Sequence, residues 1–494
     1  MAEVMELYQK ADKLRPTPLT ERQRATRELY DRLAGERDRW LARNRFFYDN
    51  DRRYMQFLVP SGQRVLELGC GEGQLLRALR PSHGVGVDLS QELINLARER
   101  SPAFEFHVGN AEDPELLGSI AGPFDYIILS DMVGYLEDCG NTFEVLQNLC
   151  TPKTRLVIAY YSHLWEPIVR FSERIGAKMP SMSQNWLSID DTTNLLRLAG
   201  FEVVRREWRQ LIPKRLLGIG TVLNKVIAPL PGIRRLCLRN YLVARPVGLR
   251  GTETRQPSCS ILIPCRNERG NIENAVKRLP QFAADLEVLF VEGHSSDSTY
   301  EECLRVKDAY PDRKIRTFQQ LGKGKGDAVR LGYAHAQGEI VMILDADLTV
   351  PPESMPKFYR ALVHGHGEFV NATRLVYPMS DRAMRTLNAI ANRAFAMVFS
   401  YLLNQRLTDT LCGTKALWRK DYERIAAARS YFGEFDPFGD FDLIFGAAKL
   451  NLKIVEVPVR YADRTYGETQ ISRFRDGWLL LRMVALAWHK LKAL

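Results

Sequence analysis

The sequence predicts an α/β protein built as two successive domains, each around its own sheet. Three observations carry this expectation. A chain of 494 residues exceeds what one hydrophobic core usually organises. Short apolar, strand-like runs alternate with amphipathic helical stretches, as parallel βα units require. The alternation opens at VLELG (65–69) and opens again at CSILIPC (259–265), with dense Pro/Gly/Thr/Ser punctuation in PLPGIRR and ARPVGLRGTETRQPS between them. The chain then divides into an N-terminal helical segment (1–44), a first α/β domain (45–210), a basic apolar connector (211–256) and a second α/β domain with C-terminal helices (257–494).

Composition narrows the class of protein. Apolar residues at 45% and charged ones at 26% are those of a soluble globular chain, so function is sought in folded sites. The eight cysteines (70, 139, 150, 237, 259, 265, 303, 412) form no C-x-x-C pair and no Cys/His cluster. They read as reduced core residues of a cytoplasmic protein, not as zinc ligands or a disulfide frame. The opening MAEVMELYQKADKLRP has no apolar h-region, and no run approaches the roughly 18 to 20 apolar residues of a membrane span. The nearest, WLLLRMVALAW (478–488), is broken by Arg482 and suits a packed terminal helix or one lying on a membrane surface.

Charge is concentrated. Residues 205–255 hold twelve basic side chains against Glu207 and Glu253, a local excess equal to the formal +10 of the whole chain. Interleaved with LLGIGTVLNKVIAPLPGI, they suit an anionic surface, membrane or nucleic acid, or else a solvated connector.

The first domain opens on RVLELGCGEGQLLRAL, in which a strand runs into Gly69, Gly71 and Gly73 and a helix follows. Glycines there permit a tight turn and close approach of a ligand to the backbone. GVGVDLS places Asp88 at the end of the next strand, where a carboxylate can accept both hydroxyls of a ribose. Asn110, Ala111 and Glu112 follow a third strand, and Ser130 and Asp131 a fourth. Each set stands at the carboxyl end of a strand, the rim where open α/β sheets take ligands.

This ordered set, with the terminal LLRLAGFEVV, resembles class I S-adenosylmethionine-dependent methyltransferases over roughly residues 45–210. The resemblance implies a Rossmann-like fold with S-adenosylmethionine as cofactor. Glu67, Gly69, Gly71 and Gly73 would surround its methionine part, Asp88 its ribose, and Asn110, Ala111 and Glu112 its adenine, with Ser130 nearby. Asn110 departs from the aspartate common in relatives. A dehydrogenase is the alternative user of such a turn, but Glu72 and Gln74 within the turn favour the methyltransferase pattern. The DMVG after Ser130 lacks the Asn/Asp-Pro-Pro-aromatic run of amino-group nucleic-acid methylases, which argues against a nucleic-acid partner. Tyr160, Tyr161 and His163 follow the strand LVIAYY, and His163 is a candidate general base for a hydroxyl acceptor or else a surface histidine.

In the second domain the strand SILIP ends at Pro264, followed by Arg266, Asn267 and Glu268. A second strand ends near Glu292 and Asp297, so polar groups again collect on a rim suited to a nucleoside. The segment FQQLGKGKGDAVRLGYAHAQGEIVMILDADL supplies Lys325 in a Gly/Lys turn, then a buried strand that ends in Asp345 and Asp347. Two carboxylates at the end of a core strand require a partner. A hard cation, Mg²⁺ or Mn²⁺, bridging them to a substrate diphosphate meets that requirement.

The order resembles family 2 glycosyltransferases over about residues 257–470, and within them polyprenyl-phosphate sugar transferases, through the D-x-D element, NATRL, TDTLCGTKAL, FDLIFGAAKLNLKIVEVPVRY and RTYGET. The resemblance implies an A-type nucleotide-sugar transferase fold, a nucleotide-diphosphate sugar donor, an inverting reaction and a polyprenyl-phosphate or glycan acceptor. Asp409 becomes the acceptor-side carboxylate, a base for a hydroxyl acceptor and only an orienting group for an anionic phosphate. Arg374 and Arg464 would bind phosphates. Glu292 and Gly293 stand where many relatives have two aspartates, and Thr349 where a further metal ligand is common. The basic apolar stretch 381–403 suits a membrane surface or a core helix.

The expectation is therefore a bifunctional enzyme of surface glycan assembly, cytoplasmic and peripheral to the membrane. Tethering two activities on one glycan raises effective concentration. The competing expectations are a glycosyltransferase with a noncatalytic methyltransferase-like module, and an RNA methyltransferase with an accessory domain. The sequence sets no oligomeric state.

Overall fold

The computed structural model describes residues 18–248, 256–376, 386–433, 439, 441–464, 466 and 473–493. Parts of the N-terminal segment (1–17), the connector (249–255), the 381–403 stretch (381–385) and RTYGET (465, 467–469) lie outside the described residues. The chain divides into two compact units between Leu249 and Arg250.

In the first unit, seven strands form one sheet: β1 (Arg64–Leu68), β2 (His83–Asp88), β3 (Glu105–Val108), β4 (Phe124–Ser130), β5 (Cys150–Tyr161), β6 (Phe201–Arg209) and β7 (Arg239–Pro246). Their spatial order is β3-β2-β1-β4-β5-β7-β6. The first five run parallel, and β7 lies antiparallel between β5 and β6. This corrects two expectations. The sheet is mixed, and residues 239–246 are not connector but a strand in its interior, buried at every position. RNYLVARP escaped notice because Arg239 and Arg245 interrupt its apolar run. Both are buried, and Arg245 is bonded to Glu202 at 2.9 Å. Arg205 is also buried, so the basic segment is partly structural.

The N-terminal segment is likewise part of the unit. Helix α1 (Glu21–Leu33) starts at a reciprocal cap, in which Thr20 Oγ1 accepts from Gln23 N at 3.1 Å and Gln23 Oε1 accepts from Thr20 N at 3.0 Å. Helices α2 (Arg37–Arg43) and α3 (Arg45–Leu58) follow, then α4 (Gln74–Leu79) and α5 (Gln91–Arg100) between the first strands. Asp31 of α1 accepts from Ser90 Oγ at 2.5 Å, at the start of α5. Beyond β5 comes the amphipathic helix α6 (Glu166–Arg174).

Arg239 is the deepest ion in this unit. Its fully buried guanidinium donates to Asp51 of α3 and to Asp131 at the end of β4, while the Tyr241 hydroxyl donates to Asp51. The rings of Phe47, Tyr161 and Tyr241 surround it at 5.1–5.7 Å.

The second unit repeats the plan with β8 (Cys259–Cys265), β9 (Leu286–Glu292), β10 (Lys314–Gln319), β11 (Ile340–Ile343), β12 (Phe369–Thr373), β13 (Lys415–Trp418) and β14 (Ile454–Pro458). The order is β10-β9-β8-β11-β13-β12-β14, with β13 antiparallel to both neighbours, so this sheet is mixed as well. Helices α7 (Arg269–Arg278) and α8 (Lys325–His335) follow β8 and β10; α9 (Thr386–Leu403) and α10 (Arg473–Ala487) come later. Among the described residues no helix is long and apolar enough to cross a membrane. All eight cysteines are free, and seven are buried.

Removing one partner of a buried ion cluster leaves an uncompensated charge and costs about 3–5 kcal/mol. Arg239→Leu should therefore destabilise the first unit by that amount, read as an earlier urea transition for that unit, with the second unit's transition unmoved.

Candidate functional sites

The carboxyl ends of β1, β2 and β4, with the loop after β3, open into a cavity of about 210 Å³. Gly69, Gly71 and Gly73 all adopt left-handed backbone, φ 73°, 54° and 70°, which side chains resist. The turn lets Gly71 N donate to Asp88 Oδ2 at 2.8 Å, and Ser90 N donates to Asp88 Oδ1 at 2.9 Å. Burial nevertheless raises the Asp88 carboxyl above its ordinary range, these two bonds offsetting only part of the cost. Glu67, buried at the end of β1, accepts from Leu76 N at 3.1 Å, and burial pushes it up to about 8.

Of the residues expected here, Glu67, Gly69, Gly71, Asp88, Asn110, Ala111, Glu112 and Ser130 line the cavity. Gly73 does not; a Cβ there would press on the Phe106 ring at 3.0 Å, so its role is packing under the turn. Asn110 Oδ1 accepts from Glu112 N at 3.0 Å. Glu112 is committed to protein donors, Gln23 Nε2 at 2.8 Å and the backbone of Glu137 and Asp138 at 2.9 and 2.8 Å. It ties α1 across the cavity. His163 is corrected: it is exposed on the turn before α6, outside the cavity lining, and the charge it influences is Asp191.

Sequence reasoning missed the wall that the N-terminal helices supply. Gln23, Tyr30, Arg37, Tyr48 and Asp51 line the cavity beside Asp131, Tyr135, Tyr161 and Lys178. Arg37 reaches over the glycine turn, where a Cβ on Gly71 would stand 3.1 Å from its guanidinium, and its buried Nε has no hydrogen-bond partner. A buried guanidinium N–H without a partner is a seat for an anion. Asp131 and Asp51 share Arg239, and burial raises Asp131 above its usual range despite that pairing. No sequence signal marks Arg37, since nothing near it repeats the strand-end pattern.

In the second unit β11 is fully buried and ends one residue before Leu344, after which the chain turns. Asp345 accepts from Lys325 Nζ at 2.6 Å. Burial alone would raise Asp345, but Lys325 and then Lys415 outweigh it and hold the carboxyl below its ordinary value. Asp347 accepts from Thr349 N and Oγ1 at 3.1 and 2.8 Å and from Arg464 at 2.7 Å. Arg464 also reaches Glu268 at 3.2 Å, and burial pushes Glu268 up to about 7 against that guanidinium. Two ion clusters thus stand two residues apart on the chain, Lys325 with Asp345 and Arg464 with Asp347 and Glu268, each aspartate already meeting a cation.

Gly413 makes the closest approach. A Cβ there would overlap both Lys325 Nζ and Asp345 Oδ2. Lys415, fully buried, donates to Cys412 O at 2.6 Å and adds its charge behind Asp345. Neither was expected as a site residue, although both lie in TDTLCGTKAL. Among the described residues no group of three or more His, Cys, Asp or Glu side chains is placed to hold a metal ion.

Two expectations change. Asp409 is fully buried and accepts from Arg374 N, Nε and Nη2 (3.1, 2.6 and 2.9 Å), Asn392 Nδ2 (2.9 Å) and Leu411 N (3.1 Å). Burial would raise it, but the Arg374 fork outweighs burial and holds it low. It is a saturated internal anion, not an exposed base. Arg374 is bound into the same pair through Nε and Nη2, so its fork faces Asp409. Glu292 is buried, accepting from Ser295 N at 2.5 Å, and Asp297 accepts from Arg269 N at 3.2 Å and Tyr466 Oη at 3.3 Å. Both shape the loops after β8 and β9. Pro264 closes β8, and Arg266 is exposed beyond it.

A raised carboxyl has a consequence for stability. With Glu67 near 8 when folded against an ordinary 4.5, its stabilising contribution is complete below the ordinary value and is lost as pH rises through about 8. Between about pH 6 and about pH 9 the first unit should lose a few kcal/mol that Glu67→Gln does not lose, read from thermal midpoints of both proteins.

Residues 21–206 match the family described as Methyltransferase domain, and residues 260–425 match Glycosyl transferase family 2. A dolichol-phosphate mannosyltransferase of Pyrococcus furiosus is 28% identical over 218 residues, 43% of this chain and 59% of that protein, so the chain spans little more than half of its length. Among solved structures, a possible histamine N-methyltransferase from Thermotoga maritima matches 44% of this chain and 99% of its own, at 16% identity and TM-score 0.35. Glucosyl-3-phosphoglycerate synthase from Mycobacterium tuberculosis, solved with Mn²⁺, UDP and glucosyl-3-phosphoglycerate, matches 48% and 80%, at 16% identity and TM-score 0.35. The chain therefore matches two family models in succession, a methyltransferase domain and, after it, family 2 glycosyl transferase.

Proposed function

We propose that the chain is a bifunctional transferase: its second unit moves a sugar, with inversion, from a nucleotide-diphosphate sugar to a polyprenyl phosphate, and its first transfers a methyl group from S-adenosylmethionine. The two activities would serve one surface glycan. The observation that carries the reading is the charged cluster after β11, where Asp345 and Asp347 each face a cation, Lys325 and Arg464.

A diphosphate changes the partners in that cluster. Lys325 and Arg464 would turn to phosphate oxygens, and Asp345 and Asp347 are the residues that would hold a divalent ion. The residues fit such an ion: the donors are all oxygen, and both side chains are partly open (26% and 17% exposed). When bound, the ion offsets charge on the leaving nucleoside diphosphate. Lys325, Lys415 and Arg464 supply the protein's own share of that stabilisation, held in place before reaction. The saturated state of Asp409 favours an acceptor that is already an anion, since a hydroxyl would need a base and Asp409 is bound on both oxygens. The likeness to a dolichol-phosphate mannosyltransferase supports a lipid phosphate in that place.

The first unit fits S-adenosylmethionine. The orphaned Arg37 Nε matches its carboxylate, the glycine turn leaves space for its methionine part, and Asp88 stands where a ribose would offer hydroxyls. When bound, the cofactor presents an electrophilic methyl group. The chain's part is to orient it, with the tyrosines and Gln184 walling the acceptor side from water. Burial of Arg205, Arg239 and Arg245 withdraws charge from the surface a nucleic acid would use, which weighs against RNA as the methyl acceptor.

Calorimetric titration with S-adenosylhomocysteine, UDP and GDP in the presence of Mn²⁺ tests both halves. Asp88→Ala should weaken the homocysteine compound about tenfold or more and leave the nucleotide unaffected. Asp345→Ala and Gly413→Ala should do the reverse. Absence of nucleotide binding in the folded protein would refute the glycosyl transfer reading.

A further inference from the structure

Apart from Leu198 and Val247, the apolar side chains of the first unit that are half or more exposed fall in two stretches of the chain. Leu164, Ile168, Phe171 and Ile175, on α6 and its flanks, are each half or more exposed. Leu216, Leu217, Ile219, Val222 and Leu236, from the segment 211–236, are too. Two sets of bonds bring these segments side by side. Trp165 Nε1 donates to Leu236 O at 2.8 Å, and Asn44 donates to Ala177 O at 3.3 Å while accepting from Lys214 Nζ at 2.8 Å.

The backbone spends energy to hold part of this face in water. Leu216 and Leu217 have φ of 44° and 54°, a region ordinary side chains avoid, and Leu217 is wholly exposed. Strain that displays a leucine is a feature to be explained by what the leucine meets. The charge around it is of one sign. Residues 211–236 hold Lys214, Arg215, Lys225, Arg234 and Arg235 and no acidic residue. The two glutamates of α6 are already paired, Glu166 with Arg170 at 2.6 Å and Glu173 with Lys178 at 2.5 Å.

We propose that this face docks on the surface of an anionic lipid bilayer, with Phe171, Ile168 and Leu217 entering the headgroup boundary and Lys214, Arg215 and Arg235 meeting lipid phosphates. Apolar side chains ringed by cations match such a surface, which offers hydrocarbon beneath negative charge. A nucleic acid would meet the cations but offers the leucines nothing to enter. The chain leaving α6 passes directly to Lys178, Met179 and Ser181 of the cavity wall, so docking would bring that wall close to the bilayer. This inference rests on the face alone, not on the catalytic assignments.

The test is flotation of the full chain with vesicles of phosphatidylcholine, with and without phosphatidylglycerol. The wild type should float with the anionic vesicles, and salt should reduce the bound fraction. Phe171→Glu and Leu217→Glu should each lower partitioning roughly tenfold, the scale of one large apolar side chain withheld from the boundary. Arg215→Gln with Arg235→Gln should lower it on anionic vesicles only, roughly fivefold for each charge. Leu321→Glu, a fully exposed position of the second unit, should change nothing. Retained S-adenosylhomocysteine binding, or an unchanged circular dichroism melt if that compound does not bind, shows that each variant is folded. No flotation, flotation indifferent to these variants, or RNA displacing the vesicles would each overturn the proposal.

Discussion

A carboxylate at the end of a buried strand cannot keep its charge without donors, and both units are organised by how that constraint is met. In the first unit Glu67 takes one backbone donor and is pushed toward the protonated form, while Asp88 takes two and is also raised by burial. In the second unit Asp345 and Asp347 are matched with Lys325 and Arg464, and Asp409 is closed off by Arg374, Asn392 and backbone. The difference decides what each group can do. A carboxylate facing a cation on a flexible stem can exchange it for another, whereas one locked in a planar fork cannot do so without breaking the core.

The strand-end rule made much of this legible. Period, punctuation and the placement of polar residues after apolar runs were enough to find β1, β2, β8 and β11 and the rim residues on them, because those strands are short, continuous and apolar. Gly69, Gly71 and Asp88 stand out from that order and Glu67 from the family resemblance, and all four line the cavity.

What escaped was everything decided by tertiary pairing. β7 reads as connector because its arginines look like surface charge, and only Asp51, Asp131 and a ring of aromatic side chains make Arg239 a core residue. Arg37 lies in a helix with no periodic signal of a site, and its place over Gly71 depends on how α1 and α3 fold back on the sheet. His163 follows a strand as the rim residues do, but the chain turns away at that point and leaves it in solvent. Sequence spacing says which residues stand at a rim, and it does not say which of them face inward.

Asp409 joins these threads. It stands in the segment that also supplies Gly413 and Lys415 to the Asp345 network, so its neighbours are site residues while it is not exposed to any ligand. A donor-saturated aspartate fixes the backbone of the segment that brings Gly413 against Lys325, and it takes up the Nε and Nη2 donors of Arg374. An enzyme arranged in this way has no open base on the segment and no need of one if the nucleophile arrives charged. The same burial that removes Asp409 from proton transfer makes the shape of the loop, not the acidity of its aspartate, what that segment offers the neighbouring charged cluster.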